Sequence, residues 1–85
     1  MDPFKIIFHP FVTEKTMYLM EHNNALEFVV KRAATKPQIK LAIENMFDVK
    51  VQNVNTKITK NGKHAIVTFT PDYNAEDIGM RIGVF

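Results

Sequence analysis

The 85-residue chain contains no cysteine, no tryptophan and only three glycines. Without cysteine there is no disulfide framework, no zinc–thiolate site and no thiol nucleophile. No glycine-rich phosphate loop and no nucleophile–base signature occurs, so an enzyme is set aside. No apolar run approaches the roughly 20 residues that a membrane-crossing helix needs, and the first residues lack a signal-peptide pattern. A cytoplasmic protein without membrane insertion is therefore expected. His9, His22 and His64 have no ligand spacing among themselves, so no metal or other cofactor is expected either.

Apolar residues make up 46% of the chain and include seven phenylalanines, enough to build one core. A chain of this length buries roughly two thirds of its unfolded surface, and residues 1–85 read as a single domain. The net charge of +2 conceals an uneven distribution. Residues 1–30 carry Asp2, Glu14, Glu21 and Glu27 against Lys5 and Lys15, a net −2. Residues 31–63 carry Lys31, Arg32, Lys36, Lys40, Lys50, Lys57, Lys60 and Lys63 against Glu44 and Asp48, a net +6. Residues 64–85 carry Asp72, Glu76 and Asp77 against Arg81, again −2. A basic middle between acidic flanks suits a surface that meets a polyanion.

Local signals are clearest over residues 33–56. Thr35 is an N-cap, Gln38 completes a capping box, and Pro37 fits a first turn that has no N–H bond to lose. Ala34 and Ile39 stand at hydrophobic-staple positions, and Ile39, Ala42, Ile43, Met46 and Phe47 fall on one helical face. Lys40 and Glu44 have charge-pair spacing. Val49 and Val51 then alternate in one register and Val54, Thr56 and Ile58 in the other, which predicts a long strand bulged near Gln52-Asn53.

Elsewhere, Phe4, Ile6 and Phe8 alternate as a strand. Thr13 caps a helix reaching about His22, and Asn23-Asn24 turns into a strand over residues 25–31. Asn61-Gly62 signals a hairpin whose returning strand covers residues 64–70. Asn74 caps a last helix, with Gly83 near its C-cap. Phe8, Phe11, Phe28, Phe47, Phe69, Met17 and Met20 read as core, while Phe85 has either a home or a partner contact. The order β-α-β-α-β-β-α predicts an α+β fold: a two- or three-layer sandwich on a four-stranded, largely antiparallel sheet.

Three blocks then carry a resemblance. They are Pro10-Phe11-Val12-Thr13-Glu14-Lys15, the Ala34-Thr35-Lys36 helix start with Ile39-Lys40 and Ala42-Ile43-Glu44, and the spaced Phe47, Val49, Val51 and Val54-Asn55-Thr56. In this order and spacing the chain resembles the large-subunit ribosomal protein L-twenty-three family over nearly its whole length. The four-residue turn at Lys60-Asn61-Gly62-Lys63 and the ending Ile82-Gly83-Val84-Phe85 are similar to the archaeal form. A turn this short does not extend into the nascent-chain tunnel as the longer bacterial loop does. The resemblance implies a structural constituent of the large subunit in the cytoplasm, bound to large-subunit rRNA near the polypeptide exit. It also implies contact with neighbouring protein twenty-nine, docking of nascent-chain factors such as the signal recognition particle, and no homo-oligomer.

Binding of this kind needs cations for phosphates and donors that fit a folded RNA. The candidates are Lys31, Arg32, Thr35, Lys36 and Lys40 around the central helix start, whose backbone N–H groups are a further anion site. Lys57, Lys60, Asn61, Lys63 and His64 around the hairpin form a second group. By resemblance alone, Lys15 joins the RNA-binding set and Glu14 is a protein-docking residue. Two other readings are weighed. An RNA-recognition-type module lacks its paired aromatics and glycines here, and a small ligand-sensing or dimerisation domain would share the absence of catalytic groups.

Overall fold

The computed structural model describes residues 2–83. Its strands β1 (Ile7–Pro10), β2 (Ala25–Val30), β3 (Val51–Thr59) and β4 (Gly62–Phe69) form one open sheet in the order β1-β2-β4-β3, antiparallel throughout. Helices α1 (Glu14–Asn23), α2 (Lys36–Phe47) and α3 (Ala75–Ile82) complete the expected β-α-β-α-β-β-α order.

The start of the chain differs from the alternation read there. Pro3–Lys5 is a 3₁₀ turn, closed by Lys5 N–H to Asp2 O at 3.1 Å and Ile6 N–H to Pro3 O at 3.1 Å. Proline fixes the φ that such a turn needs, and this local closure displaces the strand to Ile7. The pairing with β2 shifts register between Ile7 and His9, so Ile6 and Ile7 are both buried while Phe8 is 57% exposed.

The caps form as the sequence indicates. Thr35 Oγ1 accepts from Gln38 N–H, and Gln38 Oε1 accepts from Thr35 N–H. Thr13 caps α1 with Thr16 as its reciprocal partner, and Asn74 Oδ1 accepts from the N–H groups of Glu76 and Asp77. Asn24 and Gly83 end their helices in the left-handed conformation, at φ +53° and +83°. Glu44 does not use its spacing to Lys40 for a pair; its carboxylate accepts from Val51 N–H at 2.9 Å and ties the end of α2 to the start of β3.

β3 carries the expected irregularity, a register shift between Val51 and Asn53. The hairpin differs in detail: the two connecting residues are Lys60 and Asn61, and the positive φ (+121°) falls on Gly62, the first residue of β4.

The core joins Leu26, Phe28 and Val30 of β2 and Ala65, Val67 and Phe69 of β4 to Ile39, Ala42 and Ile43 of α2. Met20 of α1 and Ala75 and Ile78 of α3 belong to the same cluster. The Phe28 and Phe47 rings stack at 6.0 Å. Met17, expected in the core, is 38% exposed, while Met20 one turn further along α1 is buried. Val84 and Phe85 lie outside the described residues.

Candidate nucleic-acid interface

Strand register decides which cations meet. Val30 lies opposite both Ile7 and Lys63, while Ile58 is opposite Lys63 and Thr59 opposite Gly62. The end of β2, the 3₁₀ turn and the hairpin therefore share one edge of the molecule. Lys31 N–H donates to Ile6 O at 2.8 Å, and Lys63 Nζ donates to Ala34 O at 2.6 Å. These bonds bring Lys31, Arg32, Lys60, Asn61 and Lys63 to one end, and Lys31, Arg32, Lys60 and Asn61 are exposed there. Lys5 joins them, because Asp2, Lys5, Ile6, Lys31, Ala33, Ala34 and Gln38 line one groove. Sequence reasoning missed Lys5, whose place follows from the 3₁₀ turn that alternation had concealed.

Lys36 and Lys40 line a second groove with Pro37, Gln52, Asn53 and Val54, between α2 and the free edge of β3. Both lysines are exposed. The N-terminus of α2 itself offers fewer donors than its cap suggested. Pro37 has none, Gln38 N–H is given to Thr35 Oγ1 and Ile39 N–H to Thr35 O, which leaves the N–H of Lys36. Thr35 presents an exposed hydroxyl that already works as a cap.

Two candidates face inward. Lys63 is half-buried on its bond to Ala34 O. His64 is 3% exposed, with Nδ1 2.8 Å from Glu27 Oε2. Lys57 Nζ lies 3.7 Å from the same carboxylate oxygen, and its own side chain is 43% exposed. Glu27 thus sits buried in mid-strand between the His64 ring and the Lys57 ammonium, an arrangement sequence reasoning did not identify. The available signal was a glutamate inside the apolar run Leu26-Glu27-Phe28-Val29-Val30.

Lys15 and Glu14 stand apart on the first turn of α1, both exposed. Beside them Pro10, Phe11, Val12, Thr16, Met17 and Met20 line an apolar groove that Leu26 and Glu27 complete. Val12 is 47% and Tyr18, four residues after Glu14, 58% exposed, so exposed apolar residues flank Glu14 along the chain. The segment is anchored by Phe11 N–H to Glu27 O at 2.9 Å. Among the described residues no group of three or more His, Cys, Asp or Glu side chains is placed to hold a metal ion, and no helix is long and apolar enough to cross a membrane.

Comparison of the sequence with known proteins finds clear relatives. The profile described as Ribosomal protein L23 covers residues 5–75. Curated relatives include the large ribosomal subunit protein uL23 of Methanothermobacter thermautotrophicus, 46% identical with all of both chains covered. That of Picrophilus torridus is 52% identical over 93% of this chain and 96% of its own. That of Methanococcus maripaludis is 44% identical over the full length of both. A profile spanning most of the chain and full-length relatives at such identity leave one conclusion: the chain belongs to the ribosomal protein L23 family.

Proposed function

We propose that this chain is a non-enzymatic structural constituent of the large ribosomal subunit, acting as one domain that binds large-subunit rRNA. The observation that carries the reading is the convergence of Lys5, Lys31, Arg32 and Lys60 on one end of the fold, in a member of a ribosomal protein family. Cations grouped this closely neutralise phosphates and release counterions, which gives affinity with a steep salt dependence. Arg32 contributes a planar fork that grips phosphate through two bonds, where a lysine offers a point charge. Lys36 and Lys40 extend the contact along α2.

Docking of nascent-chain factors such as the signal recognition particle belongs at the other exposed feature, the Val12–Met17 apolar surface around Glu14. The rRNA site near the polypeptide exit and the contact with neighbouring protein twenty-nine follow from the family likeness. So does a cytoplasmic location on the ribosome.

Competition binding of the full chain to large-subunit rRNA and to tRNA, over a series of salt concentrations, tests the reading. The expected result is preference for the large-subunit rRNA, with affinity falling steeply as salt rises. Arg32→Ala is expected to lower the salt slope by about one. Equal affinity for both RNAs, or a flat salt dependence, would overturn it.

A further inference from the structure

Among the described residues the Glu27 carboxylate is the one buried acidic group, with 1% of its side chain exposed. Its charge is met from two sides. His64 of β4 lies between Val29 and Lys57 in the strand register, and its Nδ1 approaches Glu27 Oε2 at 2.8 Å. A carboxylate only accepts, so Nδ1 carries the proton in this bond. The other nitrogen, Nε2, is buried without a hydrogen-bond partner. The Phe11 ring packs edge-on against the imidazole at 4.6 Å.

Lys57 meets the carboxylate differently. At 3.7 Å it is an ion pair beyond hydrogen-bond length, and nearly half of its side chain faces solvent. It also stands on the basic half of the molecule, on the strand that runs up to Lys60. The charged and titratable groups around the pair are Lys57 on β3, Glu27 on β2 and the exposed His9 on β1, which is paired with Val29. The Phe11 segment adds only an uncharged ring.

We infer that Lys57, Glu27 and His64 form a proton-linked phosphate site, in which Lys57 binds an RNA phosphate while His64 takes up a proton to hold the Glu27 charge. The inference rests on the rRNA-binding reading. A phosphate that engages Lys57 draws it from Glu27, because the side chain is 43% exposed and the 3.7 Å contact is beyond hydrogen-bond length. A buried carboxylate left without a cation is costly, and the nearest group able to supply one is the ring already bonded to it. The proton comes from solvent and goes to Nε2, the nitrogen that now lacks a partner. Protonation also adds positive charge beneath the bound phosphate, so RNA binding and proton binding favour each other.

The test is calorimetric binding of the full chain to large-subunit rRNA, in two buffers of different ionisation heat and across pH. Wild type is expected to take up protons on binding, and its affinity to rise by up to about tenfold per unit fall in pH, the limit for one linked proton. Glu27→Gln keeps an acceptor for Nδ1 but removes the charge. Both Glu27→Gln and His64→Gln are expected to lose most of the uptake, leaving the contribution of exposed His9 and His22. Lys57→Ala should weaken binding and flatten the pH profile together. Circular dichroism confirms that each variant is folded, and in the free wild type the nitrogen chemical shifts of His64 report the Nδ1–H tautomer independently of RNA. Binding by wild type, Glu27→Gln and His64→Gln with equal proton uptake overturns this inference and leaves rRNA binding intact. Absence of rRNA binding by all of them overturns both.

Discussion

The two ends of the sheet use their polar groups in opposite ways. At one end Asn24 gathers the chain: Nδ2 donates to the carbonyls of Phe69, Thr70 and Tyr73 at 3.2, 3.3 and 2.8 Å, and Oδ1 accepts from Ala75 N–H at 2.7 Å. Its backbone, at φ +53°, also ends α1. One side chain therefore fastens α1, β4 and α3. At the other end Lys31, Arg32, Lys60 and Asn61 surround a backbone closed by a few bonds, with their side chains in solvent. The first end satisfies its donors internally and holds the fold; the second leaves donors for a partner. Stability and affinity should consequently respond to different residues.

Asn24→Ala is the most disruptive way to probe that division. It removes four side-chain hydrogen bonds and puts alanine where φ is positive. The expected loss is about 3 kcal/mol, combining left-handed strain with unpaired buried backbone groups. Asn24→Gly accepts the conformation but still loses the bonds, and should cost less than Asn24→Ala. Thermal denaturation measures both, and rRNA affinity taken well below the melting temperature should match wild type. A weakened affinity in the folded variant would mean that the two ends are coupled.

Gly62→Val applies a smaller strain at the opposite end. Open space surrounds the Gly62 Cα, so no clash is expected, and the penalty comes from φ +121° alone. A β-branched residue there should cost about 2 kcal/mol, read as a lowered midpoint in chemical denaturation. The change also distorts the turn that presents Lys60, so this variant should lose both stability and affinity. Loss of stability alone would show that the turn does not contribute to binding.

Much of this division is legible in the sequence because it is written in local chemistry. Thr13, Thr35 and Asn74 announce helix starts through hydroxyl or amide oxygens that reach back to backbone N–H groups within three residues. The parity change around Gln52 marks the bulge for the same local reason. What escapes sequence reading is set by contacts far along the chain. The four partners of Asn24 lie 45 to 51 residues away, and Glu27 finds His64 at 37. Lys63 and His64 look like free cations until strand register turns one toward Ala34 and the other toward Glu27. Phe8 misleads for a third reason, since its alternation with Ile6 fails once Pro3 starts a 3₁₀ turn.

The smallest effect falls where the two uses of polar groups meet. Thr35 stands beside the basic end, yet its hydroxyl accepts from Gln38 N–H at 3.3 Å and caps α2. If capping is its whole role, Thr35→Ala should cost about 1 kcal/mol of stability while Thr35→Ser keeps the cap and costs little. The affinity of Thr35→Ala for rRNA, measured where the variant is fully folded, should then equal that of wild type. A drop in affinity beyond that shared by Thr35→Ser would show that capping also positions Lys36, whose N–H is the donor left at the start of α2. In that case the helix start would belong to both regions, and the boundary between holding the fold and holding RNA would run through a single hydroxyl.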